Sequence, residues 1–179
     1  ILLNYLKRKK IKIGILGGSF DPAHIAHVKI STEAKKKYKL KYILWLITEK
    51  NPFKKKCKYS IKKRIKFSKK ITKNKKFIKI QFLETKIKSK KTFHLMKYLK
   101  KTNPQLKIYF IMGADNLINF HKWYKWKEIT NLCKILIFDR YGYKNKALKS
   151  VAIKSLDQKI LNYIKFNKVN ISSSQIRNI

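Results

Sequence analysis

Two histidines follow a glycine-rich turn near the start of the chain, in residues 17–27, which read G-G-S-F-D-P-A-H-I-A-H. Gly17 and Gly18 allow the backbone to approach a ligand closely. His24 and His27 lie about one helical turn apart, so both imidazoles can point the same way. The N–H groups at a helix start, together with the positive end of its dipole, favour a phosphate. The segment therefore predicts a site that holds the phosphates of a nucleotide for chemistry.

A predicted strand and a predicted helix flank this turn. Ile11–Leu16 is a short apolar run that is typical of a buried strand. Apolar residues then recur at helical spacing and predict the inner face of a helix: Ala26, Ile30, Ala34 and Tyr38. In this arrangement both histidines lie in the first turn of the helix. The alternative is an ordinary tight strand-to-helix turn with two solvent-facing histidines.

Strands alternate with helices along the rest of the chain. Four further strands are predicted: Tyr42–Ile47, Phe77–Phe82, Leu106–Met112 and Cys133–Phe138. Ser60 is a predicted N-cap, and it would start a helix whose inner face is formed by Ile61, Ile65 and Ser68. Phe67 and Ile71 lie beside that face. Thr92 predicts a second cap, for a helix that packs Leu95, Met96 and Leu99 inward and stops at Asn103-Pro104. A last amphipathic helix is predicted near Ile160, Leu161 and Ile164.

This alternation predicts an α/β fold. We expect a Rossmann-like, doubly wound, mainly parallel sheet of five or six strands with helices on both faces. Right-handed crossovers place the loops that follow the strands along one edge, where ligands bind. A chain of 179 residues is most simply a single domain, residues 1–179, with a basic leader at 1–10.

The chain is strongly basic, with 47 Lys and Arg against 8 Asp and Glu and a net charge of +39. Such a charge ordinarily indicates a nucleic-acid or membrane partner. Here the lysines are spread over the whole chain and accompany many Ile and Asn, a composition that A/T-rich codons explain. We therefore expect no specific nucleic-acid partner, although the charge should raise phosphate affinity and its salt sensitivity.

Cysteine usage and hydropathy exclude two further classes. Cys57 and Cys133 form no C-x-x-C pair, so neither a disulfide framework nor a metal site is predicted, and Cys133 is expected in the core. No apolar run approaches the roughly 18 residues of a membrane span. The first ten residues place apolar before basic residues, the reverse of a secretory signal. We expect a cytoplasmic protein with no membrane partner.

Residues 17–27 resemble the G-x-F-D-P-x-H-x-G-H signature of the nucleotidylyltransferases. These enzymes move a nucleotidyl group from a nucleoside triphosphate to a phosphate or hydroxyl acceptor. Ala26 stands where the signature usually has glycine, and the other positions match. The resemblance implies that this segment contributes the following ATP-binding residues: Gly17, Gly18, Ser19, Phe20, His24 and His27.

A second group of candidate residues follows the fourth predicted strand. Gly113 and then Asp115 suit a close ribose contact, because a carboxylate accepts from two hydroxyls. Trp123 and Trp126 lie among polar residues. A flat indole stacks on a heteroaromatic ring, and more strongly on a cationic one. The alternative is two core tryptophans on an ordinary helix.

This second segment resembles the G-A-D-N-L-x-x-F-H-x-W-x-x-W motif of bacterial nicotinate-mononucleotide adenylyltransferases, which make the dinucleotide precursor of NAD. The resemblance implies that Asp115 contacts a ribose hydroxyl and that Gly113 belongs to the ATP site. It also implies that Trp123 stacks on the pyridine ring, while the backbone N–H of Tyr124 meets the nicotinate carboxylate. With the motifs that follow, the resemblance covers residues 11–178.

Thr92 is retained from the family's Y-T-x-D-T-L segment, in which the threonine N–H binds the same carboxylate. Lys91, His94 and Leu95 stand where the family has tyrosine, aspartate and a second threonine. These changes leave the choice between an acid and an amide acceptor open, although Lys91 favours an anionic ring substituent.

Two short motifs imply further contacts with the mononucleotide. Asn51, Pro52 and Lys54 match the family's N-P-x-K loop, in which the lysine side is expected to face the mononucleotide. Residues 139–142 resemble a D-R-x-G turn after the fifth strand. Its Arg140 either reaches a phosphate or pins the turn.

Residues 171–177, I-S-S-S-Q-I-R, resemble the family's I-S-S-T-x-I-R. Ser172 and Ser173 offer hydroxyls and free N–H groups at a helix start, and Arg177 offers a bidentate fork, which together suit the β- and γ-phosphates of ATP. The alternative is an N-cap followed by a surface arginine. The family usually has one or two helices beyond this point, and we expect them to be absent because the chain ends at Ile179.

These motifs together predict transfer of the adenylyl group of ATP to nicotinate mononucleotide, which gives deamido-NAD and pyrophosphate. We expect His24, His27 and Arg177 to be catalytic, Mg²⁺ to accompany ATP, and no side chain to be a dedicated metal ligand. A homodimer is possible. The alternatives are a sister enzyme acting on nicotinamide mononucleotide or phosphopantetheine, or a basic RNA-binding protein on a retired adenylyltransferase fold. A class I aminoacyl-tRNA synthetase is excluded by length and by the lack of a K-M-S-K-S loop.

Overall fold

The computed structural model describes residues 11–49, 57–157 and 159–165. Within them, one parallel sheet has the strand order β3-β2-β1-β4-β5-β6. The strands are β1 (Ile11–Gly18), β2 (Tyr42–Ile47), β3 (Ile78–Gln81), β4 (Leu106–Gly113), β5 (Lys134–Phe138) and β6 (Leu161–Ile164). This order is that of a doubly wound dinucleotide-binding sheet, which confirms the predicted fold class.

Helices cover both faces of this sheet. They are α1 (Ile25–Tyr38), α2 (Ile61–Ile71), α3 (Glu84–Ile87), α4 (Thr92–Thr102), α5 (Ala114–Ile118), α6 (Trp126–Leu132), α7 (Lys144–Leu148) and α8 (Val151–Ser155), with a 3₁₀ turn at Phe120–Lys122. Helices α1 and α2 pack on one core cluster, and the helices from α4 to α8 pack on the other. No helix in the described part of the chain is long and apolar enough to cross a membrane.

The central strands are apolar along nearly their whole length because both of their sides are covered. In β1, Ile13 and Ile15 belong to the cluster under α4 to α8, while Leu16 belongs to the cluster under α1 and α2. Gly14 points toward the α1 side, where a Cβ would lie 2.5 Å from the Cδ1 of Ile43. A side chain at this position would therefore displace the methyl ends of Leu40, Ile43 and Ile111, so the packing favours glycine.

The predicted strands are confirmed to within two residues at each end, but the predicted last helix is wrong. Residues 161–164 form β6 instead, which pairs in parallel with β5. Leu161 packs in one core cluster and Ile164 in the other. Residues three apart in a strand point to opposite faces, whereas a helix would place both on one side. A four-residue edge strand is too short for its alternation to be read from the sequence.

The helix caps and inner faces follow the sequence in part. Ser60 caps α2 as predicted, because its hydroxyl accepts from the N–H of Lys63. Thr92 is not a cap: Lys91 occupies that position and Thr92 is the first helical residue. In α4, Met96 and Leu99 are buried as predicted.

The inner faces of α1 and α2 differ from the prediction. In α1, Ala26 and Ala34 are buried, whereas Ile30 and Tyr38 are partly buried at its margin. In α2, Ser68 is buried as predicted and Arg64 is buried beside it, while the predicted inner residues Ile61 and Ile65 are only half-buried.

We predict that Gly14→Ala destabilises the fold by about 1–3 kcal/mol, because the added methyl would overpack the side chains of Leu40, Ile43 and Ile111. Gly17→Ala on the same strand is the matched control, since its Cβ would meet Phe110 at an ordinary 3.5 Å. Urea denaturation of both variants measures the difference. Equal midpoints for the two variants would contradict this account of β1.

Candidate functional site

The candidate site lies at the carboxyl edge of the sheet, between β1 and β4. These two strands are neighbours, and Leu16 pairs with Ile111. The chain leaves β1 toward β2 on one side and leaves β4 toward β5 on the other. In doubly wound sheets this reversal opens a crevice in which ligands bind. The glycines that end the two strands, Gly18 and Gly113, flank that crevice.

The two histidines form a contacting pair at the start of α1. His24 is the N-cap residue rather than a residue of the first turn, and His27 is the third helical residue. The backbone N–H of His24 donates to Nδ1 of His27 at 3.2 Å, and the ring centroids are 3.9 Å apart. Because Nδ1 of His27 accepts this bond, its neutral ring carries the proton on Nε2. His27 is thereby held in a tautomer that can donate to a ligand.

An aromatic stack supports His27 from below. Phe20 has a positive φ of 46°, and its side chain is only 2% exposed. The Phe20 ring stacks on Trp45 and lies 4.8 Å from the His27 ring. The indole N–H of Trp45 donates to the hydroxyl of Ser31, which itself donates to the carbonyl of His27. The side chain of Phe20 is thus part of the core, and only its backbone is left for the predicted ATP contact.

The glycines of the turn are not required by contacts within the protein. A Cβ on Gly17 would come no closer than 3.5 Å to Phe110, and a Cβ on Gly18 no closer than 3.5 Å to Phe20. Both distances are ordinary van der Waals contacts. Space at these positions therefore remains for close approach of a ligand, which is the use predicted from the sequence. The carbonyl of Ser19, the next residue, accepts a hydrogen bond from Arg64.

One residue of this region was missed in the sequence. Arg64 of α2 is 1% exposed, and its guanidinium donates to the carbonyl of Ser19 in the turn at 2.7 Å. The carboxylate of Asp21 accepts the N–H groups of Lys58 and Tyr59 at 2.8 and 3.0 Å. The available signal was the spacing of Arg64 and Ser68, four residues apart, which places both on one side of the helix.

The structure brings two predicted substrate-binding residues together after β4 and β5. Nη1 of Arg140 donates to Oδ2 of Asp115 at 2.5 Å. A Cβ on Gly113 would lie 2.5 Å from Oδ1 of Asp115, so the glycine makes room for this carboxylate. Next to Arg140, Asp139 accepts the hydroxyl of Tyr163 at 2.7 Å. Burial, followed by this bond, raises the pKa of Tyr163.

Trp123 is a half-buried residue at the end of the 3₁₀ turn. Its ring meets Phe110 and Phe120 edge-on, and Trp126 meets Phe120 in the same way. The core interpretation of both tryptophans is therefore correct in part. The indole N–H of Trp123 is buried without a hydrogen-bond partner among the described residues. Tyr124 is 46% exposed.

Thr92 lines a small pocket of about 30 Å³ at the carboxyl end of β2. The walls are Leu46, Ile47, Thr48, Leu83, Glu84, Ile87, Ser89, Lys90, Lys91, Thr92 and Leu95. Glu84 accepts the N–H of Glu49 at 3.0 Å, and desolvation raises the pKa of the Glu84 carboxyl. Lys90 forms an ion pair with Glu49, and the hydrogen bond between them lowers the pKa of the Glu49 carboxyl.

The candidate residues approach the carboxyl edge from two faces of the sheet. Phe20 beneath the histidine pair belongs to the α1 side, while Trp123 packs on the opposite cluster. Five predicted site residues lie outside the described residues, and their roles stay predictions: Asn51, Lys54, Ser172, Ser173 and Arg177.

Comparison with known proteins gives matches to a family description, to sequence relatives and to solved structures. The cytidylyltransferase-like family description matches residues 15–179. A probable nicotinate-nucleotide adenylyltransferase of Pelagibacter ubique is 57% identical, over 98% of this chain and 97% of the relative. A probable nicotinate-nucleotide adenylyltransferase of Ruegeria sp. is 35% identical, over 82% of this chain and 77% of the relative.

A solved structure has the same fold. The Plasmodium falciparum nicotinic acid mononucleotide adenylyltransferase complexed with NaAD superposes with a TM-score of 0.73. It is 22% identical, and the match covers 94% of this chain and 83% of the other.

We predict that Glu84→Gln stabilises the protein at neutral pH. The raised pKa of Glu84 means that the folded state disfavours the ionised carboxylate, so this cost is present above the folded pKa and disappears as the pH falls below the unfolded pKa. Glutamine keeps an oxygen for the N–H of Glu49. Relative to Glu33→Gln, which also removes one negative charge, the Tm should rise by about 2 °C at pH 7.

The same comparison at about pH 4 should show a smaller difference, because Glu84 is then largely protonated. Thermal denaturation at the two pH values measures both effects. A Tm for Glu84→Gln below that of Glu33→Gln at pH 7 would show that the charge of Glu84 is stabilising.

Proposed function

Since this chain belongs to the cytidylyltransferase-like family and to its nicotinate-nucleotide adenylyltransferases, we propose that the carboxyl edge of its sheet is the active site of that reaction. The enzyme transfers the adenylyl group of ATP to nicotinate mononucleotide and releases deamido-NAD and pyrophosphate. The observation that supports this location is the His24–His27 pair, held at the start of α1 beside the β1–β4 crevice.

Adenylyl transfer depends on alignment of the two substrates and on stabilisation of charge at the transferred phosphoryl group, and it needs no strong base. A phosphate monoester loses its second proton near pH 6, so the attacking oxygen of the mononucleotide is ionised at neutral pH. It attacks the α-phosphorus of ATP in line, a bond to that phosphorus forms, and the bond to pyrophosphate breaks. Negative charge must be stabilised on the phosphoryl oxygens meanwhile, and preorganised donors do this without reorganisation.

The histidine pair supplies such donors. The N–H of His24 fixes Nδ1 of His27 as an acceptor, and the Phe20 ring supports the His27 ring from below. His27 therefore presents Nε2–H in a fixed orientation, and with His24 it donates to α-phosphate oxygens. Arg177, Ser172 and Ser173 hold the departing pyrophosphate in this proposal, which for these three rests on the sequence resemblance.

The acceptor binds on the other side of the crevice. The ion pair with Arg140 orients the side chain of Asp115 to accept ribose hydroxyls, and the side chain of Arg140 is 41% exposed and so accessible to a phosphate. Trp123 provides a π face for the cationic pyridine ring. Backbone N–H groups of Thr92 and Tyr124 receive the nicotinate carboxylate, and Asn51 and Lys54 face the same mononucleotide by resemblance.

Mg²⁺ enters as a complex with ATP in this proposal. In the described ranges no group of three or more His, Cys, Asp or Glu side chains is arranged to hold a metal. Mg²⁺ commonly keeps most of its water and binds through substrate phosphates. Such a complex fits a site whose donors are imidazoles and backbone N–H groups. The ion supplies charge neutralisation along the triphosphate.

One experiment tests the function against its alternatives. The purified protein is offered ATP with nicotinate mononucleotide, nicotinamide mononucleotide or phosphopantetheine, and the product is identified by mass spectrometry. We expect the acid mononucleotide to be used best, to give deamido-NAD. Preferential use of another acceptor supports a sister enzyme, and RNA binding without any turnover supports the retired-enzyme alternative. Because ATP is an intracellular metabolite, we place the reaction in the cytoplasm, and a homodimer stays a prediction.

We predict that His24→Ala lowers kcat by about 10²–10³ while the protein remains folded, since one preorganised donor to the transferred phosphoryl group is lost. A pyrophosphate-release assay measures kcat, and circular dichroism measures the fold. Lys29→Ala, an exposed position on the same helix, is the control with unchanged turnover. Near-normal turnover of His24→Ala would remove this residue from the mechanism.

We predict that Trp123→Leu raises the KM for nicotinate mononucleotide about tenfold or more, because aromatic stacking contributes about 1–3 kcal/mol. The KM for ATP should stay the same. Trp126→Leu is the matched control, because that ring has the same edge contact with Phe120 but no predicted role with the substrate. If both variants raise this KM equally, the two rings act only in packing.

A further inference from the structure

Arg64 makes an unusual set of contacts for a buried cation. Its side chain is 1% exposed. The guanidinium donates to four main-chain carbonyls: Nε to Tyr59 at 3.0 Å, Nη1 to Ser19 and to Thr48 at 2.7 Å each, and Nη2 to Glu49 at 3.1 Å. All three nitrogens of the fork are therefore used, and each partner is a backbone oxygen.

These carbonyls belong to two different loops. Ser19 lies in the turn after β1 that precedes the histidine pair. Thr48 and Glu49 follow β2, and Thr48 also lines the pocket that contains Thr92. A single nitrogen, Nη1, connects the two loops, because it donates to the carbonyls of Ser19 and Thr48 at the same distance. The guanidinium therefore sets the separation between the ATP turn and a wall of the acceptor side.

Further bonds tie the same segments together. The N–H of Thr48 donates to the carbonyl of Gly18 at 2.9 Å. The carboxylate of Asp21, in the ATP turn, accepts the N–H groups of Lys58 and Tyr59. Tyr59 is thus held by its N–H to Asp21 and by its carbonyl to Arg64. Arg64 is the member of this network that touches both loops and the start of α2.

The energetics favour a geometric role over a contribution to stability. Moving a guanidinium out of water costs free energy. Its hydrogen-bond partners among the described residues are main-chain carbonyls, and the carboxylates of Glu49 and Glu84 interact with it through charge alone. An apolar side chain at this inward position of α2 would avoid that cost. What arginine alone supplies is a rigid planar fork whose donors diverge at fixed angles, which a lysine ammonium cannot reproduce.

We propose that Arg64 is a positioning residue for adenylyl transfer, which holds the ATP turn in register with the acceptor side of the crevice. This inference rests on the proposed function. Arg64 does not need to touch either substrate. It acts through Ser19 and Thr48, so each loop binds its own substrate without it, but the attacking oxygen and the α-phosphorus are no longer aligned. A misplacement of about 1 Å at a reacting centre can lower the rate about 10²-fold.

The central experiment compares Arg64→Lys and Arg64→Met with the wild-type enzyme. We expect kcat to fall at least tenfold in both variants, with the KM for ATP and the KM for nicotinate mononucleotide each within about threefold of wild type. Lysine keeps the charge and loses the fork. Full activity in Arg64→Lys would therefore mean that the charge matters and not the geometry, and would overturn the proposal.

Lys100→Met is the matched control. Nζ of Lys100 also donates to a main-chain carbonyl, that of Leu106, at 2.7 Å. Leu106 is the first residue of β4, at the opposite end of the strand from the site. This variant should lose stability without loss of kcat. If kcat falls in the Arg64 variants only as far as their folded fraction falls, the residue is structural and the proposal is wrong.

Two measurements separate positioning from a general loss of fold. Methylguanidinium added at millimolar concentration should restore part of kcat in Arg64→Ala, and should leave His24→Ala unchanged. Hydrogen exchange of the Lys58 and Tyr59 amides should become faster in Arg64→Met, while amides of β4 keep their protection. Absence of rescue together with unchanged exchange would overturn the inference.

The failure of this inference is distinguishable from the failure of the proposed function. If the wild-type protein forms no dinucleotide from ATP and nicotinate mononucleotide, the proposed function is wrong, and with it this role for Arg64. If the wild-type protein is active and Arg64→Met keeps its kcat, only the positioning role is wrong.

Discussion

The parallel pairing of β1 with β2 on one side and with β4 on the other is the constraint on which the rest of the molecule depends. It makes β1 a central strand whose two faces are covered by helices, which explains its apolar composition. It also brings the side chains of Ile43 and Ile111 close to Gly14. It also places the ends of β1 and β4 side by side while their connections diverge. The crevice is therefore a result of chain topology, and the residues that follow these strands supply the side chains that line it.

The side chains of the site differ between the two faces of the sheet. On the α1 side, Phe20 and Trp45 form a rigid aromatic floor beneath His27. On the other side, Phe110 and Phe120 hold Trp123. The histidine side offers donors suited to a polyphosphate, and the tryptophan side offers a π face and a carboxylate held by Arg140. The reaction requires that the two sides be held at a fixed separation. The hydrogen bonds of Arg64 to Ser19 and Thr48 connect loops of both sides.

The sequence predicted the fold and its central elements well because buried parallel strands and a capped helix depend on local patterns. Long apolar runs located the strands, and Ser60 located the start of α2. It predicted β6 as a helix because Leu161 and Ile164 are three apart, a spacing that fits either structure until the neighbouring strand is known. It missed Arg64 because the helix is rich in lysine, and the four-residue spacing of Arg64 and Ser68 is a weak sign that this one cation turns inward. The contacts of Arg64 are with carbonyls distant in sequence, and no local pattern records them.

Among the described residues, the sheet separates two hydrophobic clusters that share no buried side chain. Substitutions on helices that cover opposite faces should therefore add with little coupling, because distant sites without common partners contribute independently. In a molecule built in this way, the packing beneath one substrate can be altered while the packing beneath the other is left as it was. The partition itself lets either half of the enzyme vary on its own.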